Sequence, residues 1–260
     1  IAVAGLTVFL ASNKQGHQNE EPLLAVVDYT DHTGSADAAD GVALVDLNPN
    51  SATFGEIVQQ YEIGAGVIPH HPYYNRDKSK LYTTALAGER LYRIYIHDER
   101  IQAITPIETG NCVVGEDLYF SQDGTKYYLT CMGSDNVVVF DAATDRIIGE
   151  ISAPMTENPE AYVRYPHGIS VDESLDRMIV TETVSADLSD PGASVSVIEY
   201  STGEVLDTLP IAKTPGTPGA PVEVVFHPNG KIAYLTGMLE ESVWTLVWNE
   251  STGTFDASMF

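Results

Sequence analysis

Histidines and carboxylates recur at one place in this chain, and side chains of that kind can hold a metal. His70 and His71 stand 14 and 13 residues before Thr84, and His167 stands 14 before Thr181. Each follows a proline, in Pro69-His70-His71 and Pro166-His167-Gly168, and each leads into a β-rich run. The corresponding places hold Glu116 and Asp117 before Thr130, and Glu223 before Thr236. Imidazoles and carboxylates gathered around one point suit a transition metal, because imidazole binds copper, zinc and iron well. The neutral ring is the ligating form, so such a site weakens below about pH 6. His70, His71 and His167 are the expected ligands, with Glu116 and Glu223 as auxiliary groups. The competing reading is that these histidines only cap strands by bonding to backbone carbonyls.

What must position these groups is a phrase repeated four times. Its copies are Lys80-Leu81-Tyr82-Thr83-Thr84, Lys126-Tyr127-Tyr128-Leu129-Thr130, Arg177-Met178-Ile179-Val180-Thr181 and Ala233-Tyr234-Leu235-Thr236. The closing threonines lie 46, 51 and 55 residues apart, and a tight-turn signal such as Gln122-Asp123-Gly124 precedes each copy. Short strands and turns with a period of roughly 40–50 residues predict an all-β β-propeller. Five blades are expected here, at about 22–63, 67–107, 112–153, 165–212 and from about 220 onward, within a single domain 1–260. These five units reach Phe260 without an obvious closing strand, so either one or two further blades belong to the complete protein or the N-terminal segment completes the ring; further blades are the expectation. The four threonines should then lie on four different sheets, with the candidate ligands on the rim of a central channel. The opening Ile1–Ser12 alternates well enough to read as a strand.

Composition narrows the function classes. The formal net charge is −24, from 37 acidic residues against 13 Lys plus Arg, which argues against nucleic acid as a partner. No run of 18 apolar residues occurs, so no membrane-spanning helix is expected. A hairpin turning at Gln122–Thr125 would set Cys131 opposite Glu116 rather than Cys112, so the two cysteines are expected as inert buried thiols. A bond between them would need a bulge or a neighbouring strand. The stretch Asp28–Gly41 carries Asp28, Asp31, Asp37 and Asp40, a weak calcium-loop signal. His227 falls in the turn Phe226–Gly230 and is not expected to be a ligand. No nucleophile elbow, phosphate loop or dinucleotide glycine motif is present.

Two resemblances follow. The strand phrases, with Pro166-His167-Gly168-Ile169, resemble YVTN-type propeller repeats. Leu44-Val45-Asp46-Leu47-Asn48-Pro49-Asn50-Ser51, with His70-His71 downstream, resembles the selenium-binding protein/methanethiol oxidase family. Met178-Ile179-Val180-Thr181-Glu182 and Pro221-Val222-Glu223 echo the same family in the same order. That resemblance implies a seven-bladed propeller and, for the oxidase branch, copper-dependent oxidation of a small reduced sulfur substrate in the central channel. It carries over ligand roles to His70 and His71 alone. The chain departs from the family where Pro72-Tyr73-Tyr74-Asn75 replaces a cysteine motif, and where Tyr119 replaces a histidine. The expectation is therefore a periplasmic or extracellular, copper-binding oxidoreductase acting on a small molecule. The alternative is a non-enzymatic extracellular propeller that serves as a binding or surface scaffold for a protein partner.

Overall fold

The computed structural model describes residues 6–8, 22–31, 38–152 and 161–260, the first three by backbone alone. The described residues form only strands and turns, in five four-stranded antiparallel sheets. The fold is all-β and of the β-propeller class. Two compact units divide the chain, Ile1–Glu108 and Thr109–Phe260. In the first unit, one sheet joins β1 (Leu6–Val8), β2 (Leu24–Tyr29), β3 (Asp40–Asp46) and β4 (Ile57–Gly64). The next joins β5 (Pro69–Tyr74), β6 (Leu81–Ala85), β7 (Leu91–His97) and β8 (Arg100–Pro106). In the second unit, the third sheet holds β9 (Gly115–Phe120), β10 (Lys126–Cys131), β11 (Asn136–Asp141) and β12 (Arg146–Ser152). The fourth holds β13 (Pro166–Asp172), β14 (Arg177–Glu182), β15 (Ser194–Glu199) and β16 (Val205–Pro210). The fifth holds β17 (Pro221–Phe226), β18 (Ile232–Gly237), β19 (Ser242–Asn249) and β20 (Thr254–Met259).

Residue type decides which strand goes where. Second strands such as Tyr127-Tyr128-Leu129-Thr130-Cys131 are buried on both faces and read as continuous apolar runs, as a strand between packed layers must. Fourth strands such as Ile57–Gly64 alternate, and Gln59, Gln60 and Glu62 place polar groups on the sheet edge. Packing between neighbouring sheets supplies the core within each unit. Val26, Leu44, Leu81 and Ile94 pack between the first two sheets; Tyr128, Val137, Ile169 and Met178 pack between the third and fourth. The turn ahead of β6, β10 and β14 is fixed by an aspartate that accepts a backbone N–H two residues on: Asp77 from Ser79, Asp123 from Thr125, Asp172 from Ser174.

The repeated threonines stand on β6, β10, β14 and β18, one per sheet as the repeat requires. Opposite each, the first strand of its sheet bulges. Pairing slips between Pro69 and Pro72, between Gly115 and Leu118, between Pro166 and Ile169, and between Pro221 and Val224. Two residues of the first strand therefore face one threonine, a β-bulge. The hydroxyl fills the gap in the ladder. Thr84, Thr130, Thr181 and Thr236 accept the backbone N–H of His71, Asp117, Gly168 and Glu223, always 13 residues earlier. Thr130 and Thr181 also donate across to the next sheet, to the His167 and Val222 carbonyls, at 2.6 Å each. Just ahead of these bulged strands sit left-handed, non-glycine residues: Ile68, Val114, Tyr165 and Ala220, at φ 54, 61, 47 and 46°. Their carbonyls accept from Leu86, Met132, Thr183 and Met238, which over-determines the strained conformation.

The same bulge corrects the cysteine expectation. Past the slip Cys131 pairs with Gly115, not Glu116, and Cys112 comes within a Cα–Cα distance of 5.2 Å. Cys112 and Cys131 form a disulfide, so they are not the buried thiols expected from an unbroken hairpin.

In the first sheet the threonine place is taken by Asp28, which pairs with Val42 as Thr130 pairs with Val137 and Thr181 with Val195. Asp28 is 5% exposed; its Oδ2 accepts from Thr83 at 2.7 Å. Burial pushes its carboxyl up to about 7, against the Thr83 hydrogen bond and the charge of His70, which pull it down.

Two stability predictions follow from this ladder. Thr130→Val keeps the shape but strands a buried N–H and a buried carbonyl; in urea it should cost about 2–4 kcal/mol, whereas Thr236→Val, at an exposed site, should cost below about 1. Equal losses would remove the special role given to the buried hydroxyl. For Asp28 the folded state holds a proton that the unfolded chain releases near pH 4, so stability should fall as pH rises from 4 to 7 and then level. Asp28→Thr should flatten that slope and gain up to about 4 kcal/mol at pH 8. A wild-type profile already flat across pH 4–7 in urea titrations would refute it.

Candidate metal centre

A bulge changes which way side chains point. Successive residues of a regular strand face opposite sides, whereas the extra residue of a bulge re-aims its neighbour. The residues 14 before the threonines are His70, Glu116, His167 and Val222, so three of four bulges present a charged or ligating group.

In the second unit the bulges of β9, β13 and β17 bring three of the expected residues together. His167 Nε2 lies 3.4 Å from Glu116 Oε2, and His167 Nδ1 lies 3.5 Å from Glu223 Oε1. Glu116 and His167 are 2% and 8% exposed, while the Glu223 side chain is half in solvent. Gly168 allows this closeness: a Cβ there would fall 2.5 Å from the Val222 carbonyl, so any larger residue would push β17 and Glu223 away. Asp117 turns aside from the group, accepting the backbone N–H groups of Leu118 and Ile169.

These separations exceed the ~2.7–2.9 Å of a charge-assisted hydrogen bond. The Nε2–Glu116 separation matches instead the ~3.3 Å edge of a tetrahedron whose ligands lie ~2.0–2.1 Å from a central ion. The donor set, one imidazole and one buried carboxylate, thus fits a borderline divalent metal between Nε2 and Glu116. Glu223 on the opposite ring nitrogen is placed to hold the imidazole in one orientation, as outer carboxylates do at metal-bound histidines.

In the first unit His70 and His71 lie side by side at the bulge of β5, their rings stacked with centroids 3.9 Å apart. His71 also meets the Tyr73 ring edge-on. Two consecutive residues can stack in this way because the bulge puts both on one side. Asp28 comes from β2 toward the same strand, and His70 acts on its charge. Its Oδ1 is buried and has no hydrogen-bond partner among the described residues.

The sequence had grouped Asp28 with a calcium-type loop and missed its tie to the histidines. The signal was there: Leu24-Ala25-Val26-Val27-Asp28 is a fifth copy of the repeat, disguised by aspartate in place of threonine. Asp40 accepts the backbone N–H groups of Asp31 and Ile68, and Asp37 lies outside the described residues, as do His17 and His32. His227 accepts the Asn229 N–H through Nδ1, the turn role expected of it. A groove of about 590 Å³ in the second unit is lined by Pro191, Pro210, Pro215, Pro218 and Trp244, and none of the candidate ligands lines it.

No family model matches the chain. Among curated proteins, it is 20% identical over 256 residues to the methanethiol oxidase of Ruegeria pomeroyi, covering 86% of this chain. The chain spans 58% of that protein's length. Among solved structures it superposes on the hypothetical selenium-binding protein of Sulfolobus tokodaii with a TM-score of 0.74 and 14% identity, covering 93% of this chain and 61% of that one. The periplasmic gluconolactonase of Pseudomonas aeruginosa gives a TM-score of 0.62 at 17% identity, covering 91% of this chain and 66% of that one. In sequence and in fold, this propeller chain is similar to the selenium-binding protein/methanethiol oxidase family.

Proposed function

We propose that the protein is a copper-binding propeller that oxidises a small thiol, with His167 and Glu116 holding metal in the second unit and His70 and His71 serving as the donors of the first. The observation that carries the reading is the approach of His167 Nε2 to the buried Glu116 carboxylate at a ligand–ligand spacing, with Glu223 on the opposite ring nitrogen. Support also comes from the likeness to methanethiol oxidase. Held by these residues, copper would supply the electron acceptor for a thiol substrate, with dioxygen as the final oxidant. The chain's own residues do the positioning: Glu223 fixes the ring, the Thr130 hydroxyl pins the His167 backbone, and Gly168 keeps β17 close. The disulfide supports a periplasmic or extracellular setting, since such bonds persist in oxidising compartments. Among the described residues no helix is long and apolar enough to cross a membrane.

The departure at Pro72–Asn75 favours a second reading, an extracellular scaffold in which the histidines only order the strands. Metal analysis separates the two. Purified protein should carry or take up copper, and a competition titration should show His167→Ala and Glu116→Gln each weakening binding at least tenfold, with His227→Ala unchanged. Replacing His70 and His71 together should lower the copper bound by the first unit. A preparation that neither contains copper, zinc or iron nor takes any up would leave the scaffold reading standing.

A further inference from the structure

One residue departs from the repeat at a cost to the fold. Four sheets carry threonine at the place that plugs the bulge, and the first carries Asp28. The residue in this place reaches the next sheet's bulge: Thr130 meets His167, and Thr181 meets Val222. By the same register Asp28 faces the bulge of β5, which carries His70 and His71. A threonine would satisfy the ladder as it does elsewhere and would bury no charge. Asp28 uses Oδ2 on the Thr83 hydroxyl, and its buried Oδ1 has no hydrogen bond among the described residues. A buried carboxylate oxygen of that kind is costly unless a donor answers it. β2 packs against β5, and the His70 imidazole there is the group whose charge acts on Asp28.

We infer that Asp28 is a positioning residue for His70: its Oδ1 accepts the N–H of one ring nitrogen, fixes the tautomer, and turns the other nitrogen outward as a ligand. Glu223 stands to His167 in the same relation, so a carboxylate backs an imidazole in each unit. This inference deepens the metal-binding reading and rests on it only for the last step. In that step an oriented imidazole, being a better ligand than a free one, raises metal affinity by about 10–100-fold.

Two measurements test it, one without metal. In metal-free, nitrogen-15-labelled protein, the His70 ring should show a single tautomer in the wild type and a mixture in Asp28→Thr, a variant that restores the repeat's own residue and keeps the fold. Competition titration with copper should then show Asp28→Thr binding at least tenfold more weakly. A His70 ring spectrum identical in the two proteins overturns the inference, and means that Asp28 only replaces a threonine hydroxyl on the β5 backbone. A changed tautomer with unchanged copper affinity also overturns it, since the orientation would serve no ligand. If the wild type binds no metal, the functional reading fails by itself, and the tautomer comparison still decides whether Asp28 orients His70.

Discussion

The threonine hydroxyl set into a bulged first strand is the contact on which the rest of this structure depends. A bulge breaks the ladder and leaves an amide unpaired, and a buried amide without a partner costs about as much as a lost hydrogen bond. In four sheets a threonine 13 residues on supplies that partner. In the second unit the same hydroxyl also reaches the neighbouring sheet, so one side chain stabilises the irregular strand and the packing beside it. Removing the bulge would restore a regular ladder and would turn His167 or Glu116 away from each other, since alternate residues of a flat strand face opposite sides.

The charges obey a second constraint. A protein with a formal charge of −24 has little trouble staying dissolved, but it pays heavily for any carboxylate taken out of water. Glu116 and Asp28 are both buried, and each is drawn toward an imidazole. Elsewhere acidic groups are spent on turns, where Asp77, Asp123 and Asp187 accept from nearby serines and threonines and lie below the usual carboxylate range. These two carboxylates therefore differ in kind from the many at the surface, although sequence composition counts them alike.

That difference explains which parts were legible in the sequence. The sheets were readable because a repeat declares its own equivalences: Thr84, Thr130, Thr181 and Thr236 carry the register whatever surrounds them. The grouping of Glu116, His167 and Glu223 was readable for the same reason, since each falls in the two-residue bulge 14 or 13 residues before its threonine. Reading failed where a single residue broke the phrase. Asp28 stands in β2 where the other copies carry threonine, and its neighbours Asp31 and Asp37 made it look like part of a cation loop. The disulfide was missed because a hairpin drawn without its bulge misplaces Cys131 by one residue against β9, and one residue is enough to separate two sulfurs.

The bulge is fastened through backbone amides and carbonyls, while its own side chains are left to point where they will. Accordingly the chain writes four different pairs at one structural address: His70-His71, Glu116-Asp117, His167-Gly168 and Val222-Glu223. Scaffold and chemistry are thus separate variables in this architecture. A lineage built on it can exchange imidazole for carboxylate, or either for valine, without renegotiating the strand that carries them, and relatives with the same blades are free to diverge in what they bind.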